Sequence, residues 1–433
     1  MSPIRITILI GLTVVAVSAA VVKTQGYIPF ADAPINYRSQ KLNDPVTRLD
    51  RDLQSGAVKL RYDKQFGYLP AVLEALHVPV SSQTLVFSKT SFQFNDINPQ
   101  KPRALYFNDD VYVGRVQGGK YLEFVSFDPT QGAIFYIMDD PQTTEPRFER
   151  SQVDCVQCHV APATRNVPGV MIRSVFTRPS GYQAPGTSAY VNGHDTPYEH
   201  RWGGWYVTAK SGPPANMANV LTNTGEKASA AVAELAPTLS HIIDTKPYLT
   251  DTSDIVALMV LAHQTQMHNL ITEASYLARI AAFKESDKSA YEKVADHLVE
   301  YLLFAKEASL SEPVVGSSSF TSDFAASGPR DTRGRSLRDF DLHSRLFKYR
   351  CSYLIYSEDF DALPMEVKTY VYHRLFTILT GSDQSPAFAS LTPEDRRAIL
   401  EILTATKPGL PDEWKQFVAL AHEGNSKQQK GSI

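Results

Sequence analysis

VYVGRVQGGKYLEFVSFDPTQGAIFYIM, residues 111–138, is the stretch on which the reading of the fold turns. It holds three runs dense in Val, Ile, Tyr and Phe: Val111–Val116, Tyr121–Phe127 and Ala133–Met138. β-Branched and aromatic side chains suit a pleated, half-buried surface. Gly118-Gly119 supplies a tight hairpin connection, and Asp128-Pro129 through Gly132 supplies a second turn. Two runs of the same texture lie upstream, Thr84–Phe87 and Ala104–Phe107, with Asn108-Asp109-Asp110 between the latter and Val111. The spacing predicts an antiparallel meander that buries one face.

Toward the C-terminus the composition changes, after about Lys227, to helix formers. Thr252-Ser253-Asp254 caps a predicted helix over Ile255–Phe283, whose apolar residues recur at helical spacing. Further helices are predicted over Tyr291–Ala308, Met365–Leu379, Pro393–Thr404 with Thr392 as cap, and Pro411–Ala421. Residues 311–338, rich in Ser, Gly, Asp and Arg, read as a long surface loop. Toward the N-terminus, residues 24–68 are weakly patterned and interrupted by Pro29, Pro34 and Pro45, ahead of a short helix within Leu69–Val78. The fold class is α+β. Residues 27–226 form the β-rich region, 227–423 a helical domain, and 424–433 a polar tail expected to be disordered. Two domains are the ordinary expectation for 433 residues.

The first residues carry an address. Arg5 precedes an uncharged apolar run over residues 6–22, ended by Lys23, with Ser18-Ala19-Ala20 as a small-residue cleavage site. Residues 1–26 are therefore read as a signal peptide or, the run being at the short edge of a bilayer span, a membrane anchor. Both place the bulk of the chain in the periplasm or on the outer face of the cytoplasmic membrane. A net charge of −3 excludes the basic field of a nucleic-acid binder. Three cysteines exclude a disulfide scaffold.

Two of those cysteines carry the chemistry. Cys155-Val156-Gln157-Cys158-His159 is the attachment signature for c-type haem. Residues i and i+3 share a helix face, so both thiols can reach the vinyl groups of one porphyrin while His159 ligates the iron. Shuffling a chain with 3 Cys and 11 His in 433 residues would produce the pattern roughly 3 × 10⁻⁴ times. The competing readings are a redox thiol pair, which lacks a neighbouring βαβ pattern, and half a zinc site, which lacks a second thiolate pair. One covalent haem c is expected, in a Pro- and Gly-rich segment between Pro141 and Pro214 with one β-like run, Val170–Phe176.

The iron's second axial position has three candidates: Met217, on a Pro-bearing loop; Met171, in an apolar run; and His194, between glycine and aspartate. His263 and His268, five residues apart on one helix, point about 140° apart and cannot act as a pair. Arg165, Arg173, Arg178 and Arg201 are candidates for pairing the haem propionates. In Arg201-Trp202-Gly203-Gly204-Trp205-Tyr206-Val207 the rings suit either porphyrin walls or the core of a hairpin.

With these features in view, the chain resembles a family of exported bacterial proteins described as cytochrome c domain-containing and otherwise uncharacterised. The residues that carry the resemblance are 155–159, Arg201–Thr208, Ser253–Thr272, Arg350–Pro364 and Arg396–Pro411. The resemblance implies a single covalent haem and a helical half integral to the protein. The expected function is one-electron transfer with redox partner proteins outside the cytoplasm, by a carrier rather than a haem oxidoreductase with its own substrate. The alternative is a haem c enzyme or ligand sensor whose open iron position faces a pocket formed with the helical domain. No nucleic acid is expected, and residues 6–22 supply the means of membrane association.

Overall fold

A computed structural model of the chain describes residues 28–214, 216–223 and 235–430. The expected signal peptide or anchor, with its apolar run at residues 6–22, lies outside them. Among the described residues no helix is long and apolar enough to cross a membrane.

Helix α1 (Pro45–Ser55) opens the described fold. Asp44 caps it, its carboxylate accepting from the Val46 and Thr47 amides at 3.0 and 3.2 Å, and Pro45 begins the first turn. The sequence reading assigns no element here because proline is weighed as a breaker. Asp-Pro at a helix start is the opposite signal, since proline at the first position has no amide to lose. Helix α2 (Leu69–Ala75) follows, somewhat shorter than expected.

The five β runs pair as predicted: β1 (Thr84–Val86), β2 (Arg103–Phe107), β3 (Val111–Arg115), β4 (Tyr121–Asp128) and β5 (Gly132–Asp139) form an antiparallel meander. Two short strands extend it at either edge. β6 (Glu149–Arg150) joins β5, and β9 (Trp205–Tyr206) joins β1, giving the order β6-β5-β4-β3-β2-β1-β9. Helix α3 (Val156–His159), strands β7 (Ile172–Val175) and β8 (Ala189–Asn192), and β10 (Ala209–Ser211) occupy the irregular stretch around β9. The Trp-Gly-Gly-Trp cluster thus supplies a sheet strand, with Trp202 and Trp205 both buried.

The meander buries both faces, not one. On the first face, Ser126 and Tyr136 meet α1 through the Val46 amide and the Thr47 hydroxyl. On the second, Phe127 stacks on His268 with ring centroids 3.7 Å apart. His268 belongs to α4 (Ile255–Phe283), a 29-residue helix buried along nearly its whole length. Its apolar residues fill the core, and its buried polar side chains, among them Gln264, His268 and Asn269, are hydrogen-bonded. Its cap is the predicted one: Asp254 accepts from the Val256 and Ala257 amides at 2.7 and 3.3 Å.

Around α4 stand α5 (Ser289–Leu302), α6 (Phe320–Ala326), α7 (Glu358–Asp361) and α8 (Met365–Leu379), while α9 (Pro393–Thr406) and α10 (Asp412–Lys430) pack beyond α8. α6 and the short strand β11 (Val315–Gly316), which pairs with β10, lie inside the stretch read as a loop. Phe320 and Phe324 are the buried anchors that give it structure. α10 continues to Lys430, past the expected end at Ala421. The class is α+β, and one continuous hydrophobic core includes residues of both halves.

Candidate functional site

The Cys155–His159 segment folds as its spacing requires, into a single helical turn. Cys155 stands at the N-cap of the one-turn α3, and its carbonyl accepts from the amides of Cys158 and His159 at 3.1 and 3.0 Å. Both thiols are free. Cys155 is half-buried and Cys158 exposed, so the pair lies on one turn with an open side. Burial raises the Cys155 thiol above its ordinary value, which keeps it protonated near neutrality. The third cysteine, Cys351, is buried in the helical half, and burial pushes it up to about 12.

His159 is positioned by three neighbours. Its ring lies 4.7 Å from Phe135 of β5, centroid to centroid. Its Nδ1 is 2.8 Å from the Gly169 carbonyl, which fixes that nitrogen as the proton-bearing donor and leaves Nε2 with the lone pair. Burial holds the imidazole below its ordinary pKa, again favouring the neutral, ligating form. Gly169 is held by α4. Asn269 grips the next residue, its Oδ1 accepting from the Val170 amide at 3.1 Å and its Nδ2 donating to the Val170 carbonyl at 2.7 Å. A Cβ on Gly169 would lie 2.2 Å from that Oδ1, so only glycine lets the loop approach the helix this closely. One turn further along α4, Glu273 pairs with Arg165. The Thr164 hydroxyl ties the loop to itself through the carbonyls of His159 and Val167, at 3.1 and 3.0 Å.

The other candidate residues are distributed through the core. Met217 is buried, its sulfur 3.5 Å from the Ser174 hydroxyl and its methyl packed at Gly203. Met171 is half-buried immediately before β7. His194 is buried with its Nδ1 2.8 Å from Nδ1 of His263, among the rings of Tyr301 and Phe304. Burial, reinforced by Arg201, pulls His194 down to about 3, so it is neutral at all ordinary pH. Its Nε2 is buried with no partner. His263 completes its bonds on Ser352, while His268 takes Asp359 and the Asp109 carbonyl. The two helix histidines end in separate networks, in keeping with the angle between them.

Among the arginines, Arg165 is committed to Glu273. Arg201 is buried and donates to the carbonyls of Thr196 and His194 at 2.7 and 2.8 Å. Arg173 and Arg178 are exposed, the former donating to Gln183. Sequence reasoning passed over Arg103, Phe135, Asn269 and Glu273, which surround the motif. Nothing in their local sequence marks them, because they reach the site from β2, β5 and α4.

Among the described residues no group of three or more His, Cys, Asp and Glu is arranged to hold a metal ion. A cleft of about 720 Å³ opens instead between α1, α2 and the extended chain near Leu60, with Asp110 in its wall. Burial, with help from Asp109, pushes Asp110 up to about 7. Comparisons of the chain with protein-family models, curated proteins and solved structures return no match.

Proposed function

We propose that this chain is an exported c-type cytochrome that carries one covalent haem on Cys155 and Cys158, with His159 on the iron, and passes single electrons to partner proteins. The observation that supports the reading most is the joint placement of two free thiols on one helical turn and a histidine whose Nδ1 is already occupied. Cys155 and Cys158 would hold the haem, each thiol adding across one vinyl with sulfur on one carbon and hydrogen on the other, which would need no oxidant. The haem, when bound, supplies the ferrous–ferric couple. The chain's own residues do the rest. The Gly169 carbonyl accepts the His159 proton on Nδ1, and an acceptor there strengthens the opposite nitrogen as a ligand. Asn269 and Glu273 keep the loop that bears Gly169 against a buried helix. Phe135 supplies an apolar wall beside the imidazole.

The test is the mass and spectrum of the full chain produced in a host that attaches c-type haem. The expected product is heavier than the processed polypeptide by one haem and retains it under denaturing conditions. Cys155→Ala and Cys158→Ala singly should each leave one thioether and move the reduced band in alkaline pyridine to longer wavelength. The double variant should lose covalent haem altogether. A wild-type chain that never acquires covalent haem would overturn the proposal. Carbon monoxide then separates the two classes: a carrier leaves the reduced spectrum unchanged, whereas an open iron position shifts it.

A further inference from the structure

The second face of the sheet, which also carries Phe135, holds a largely buried ion pair. Glu123 of β4 lies on the same face as Phe135 of β5, because Phe135 pairs with Val125 and side chains alternate along a strand. Arg103 of β2 reaches it across β3, placing Nη2 2.5 Å from the Glu123 carboxylate. It passes over Gly114, where a Cβ would stand 2.6 Å from Nη2 and 2.8 Å from Nε. A glycine in the interior of a strand weakens it, and here the missing side chain is the channel in which the guanidinium lies.

Glu123 is held through both of its oxygens. Its other oxygen accepts from the Ser91 hydroxyl and the Gln93 amide at 2.5 and 2.8 Å. Arg103 is different: its Nε is buried and has no partner. An unmet buried donor costs about 1–3 kcal/mol, and a guanidinium offers five donors suited to a carboxylate. The pair lies on the sheet face that meets the motif, since Phe135 on the same face has its ring 4.7 Å from that of His159. The arginines singled out from sequence are either engaged, as Arg165 and Arg201 are, or exposed.

We propose that Arg103, lying over Gly114 and steadied by Glu123, is the residue that receives a propionate of the haem attached at Cys155 and Cys158. The inference rests on the covalent-haem reading and adds the residue that would orient the ring. The carboxylate accepts the Nε–H that now has no acceptor. Glu123 keeps the cation in place and offsets part of its charge.

The experiment is redox titration of the haem-loaded full chain across the neutral pH range, for wild type, Arg103→Lys, Arg103→Gln and Gly114→Ala. Haem attachment is scored first, by mass. Arg103→Gln removes a cation beside the haem, so the ferric form gains stability and the midpoint potential falls. Its propionate also loses its partner, so the potential becomes more dependent on pH. Arg103→Lys should restore most of the wild-type curve. Gly114→Ala, which displaces the guanidinium without removing it, should reproduce the Arg103→Gln shift. Attached haem with curves for Arg103→Gln and Gly114→Ala superimposable on wild type would overturn the assignment while leaving the cytochrome reading standing. A wild-type chain without haem would overturn that reading first.

Discussion

At the scale of single residues, the helical turn that carries Cys155, Cys158 and His159 is readable from five letters, while the groups packed around it are not. Asn269 shows why. Its amide satisfies both backbone groups of Val170, 99 residues away in sequence, and local pattern cannot report such a contact. Asn269→Leu should strand both Val170 groups and cost about 2–3 kcal/mol, measured by urea unfolding, since buried polar groups lose their desolvation energy outright. The His268–Asp359 pair makes a prediction with a sign. Burial pulls the His268 imidazole down, but Asp359 at 2.7 Å and the Asp109 carbonyl outweigh it and leave the group raised. Asp359 is disfavoured as an anion by burial, yet His268 and Ser357 hold it below its ordinary value. A raised imidazole contributes stability that is complete below about pH 6.5 and is lost as pH rises through the folded-state pKa. The lowered carboxylate contributes above about pH 4 and is lost as pH falls. Asp359→Asn should therefore cost most between those limits, about 3 kcal/mol, and the gap from wild type should narrow in alkaline urea titrations. Asp110 runs the other way. Its raised pKa means the folded state holds the proton more tightly, so stability declines from about pH 4 to pH 7. Asp110→Asn should relieve this and raise the melting temperature at neutral pH while changing little below about pH 4. An unchanged melting temperature at neutral pH would remove the argument.

At the scale of elements, the meander, the long helix and its cap are legible because each is announced by a local rule: alternation broken by turn residues, or a capping side chain ahead of an apolar run. Asp254 illustrates a cap that does more than cap. Besides the two helix amides, it accepts from the amides of Ser317 and Ser318, both at 2.8 Å, and so joins β11 to the start of α4. Asp254→Ala should cost more than the roughly 1 kcal/mol of an ordinary cap, about 2–3 kcal/mol by urea unfolding once the stranded amides are included. Asp254→Asn should recover part of it by keeping an acceptor oxygen. The elements that escaped reading failed for stated reasons. α1 was hidden by a proline that in fact begins it, and α6 by polar neighbours around Phe320 and Phe324, whose burial comes from packing rather than from periodicity.

At the scale of the whole molecule, the two regions expected from composition share one core. α4 enters the sheet region with a row of side chains: Gln264 donates to the Asn108 carbonyl at 2.7 Å, His268 meets the Asp109 carbonyl at 2.8 Å, and the Tyr276 hydroxyl donates to the Gln131 carbonyl at 2.8 Å. Trp202 and Trp205 are buried on the sheet side and Trp414 at the far helical end. Indole fluorescence and far-ultraviolet dichroism should therefore report a single coincident urea transition. Two separated transitions would show that the halves fold independently and that the α4 contacts are weaker than their geometry indicates.

What the sequence determined by itself is what short-range physics governs: a five-strand meander, a capped helix of about eight turns, and two thiols and an imidazole at the spacing of one helical turn. Backbone preference, capping and i to i+3 geometry act within a few residues, so they are present in the letters. The tertiary structure alone decided that both sheet faces are covered, that Asn269 and Glu273 hold the loop behind His159, and that an arginine crosses a glycine to reach Glu123. Those arrangements follow from burial and hydrogen-bond satisfaction between residues as far apart as Arg165 and Glu273 or Gly169 and Asn269. Such constraints come into being only when the chain has closed around its core.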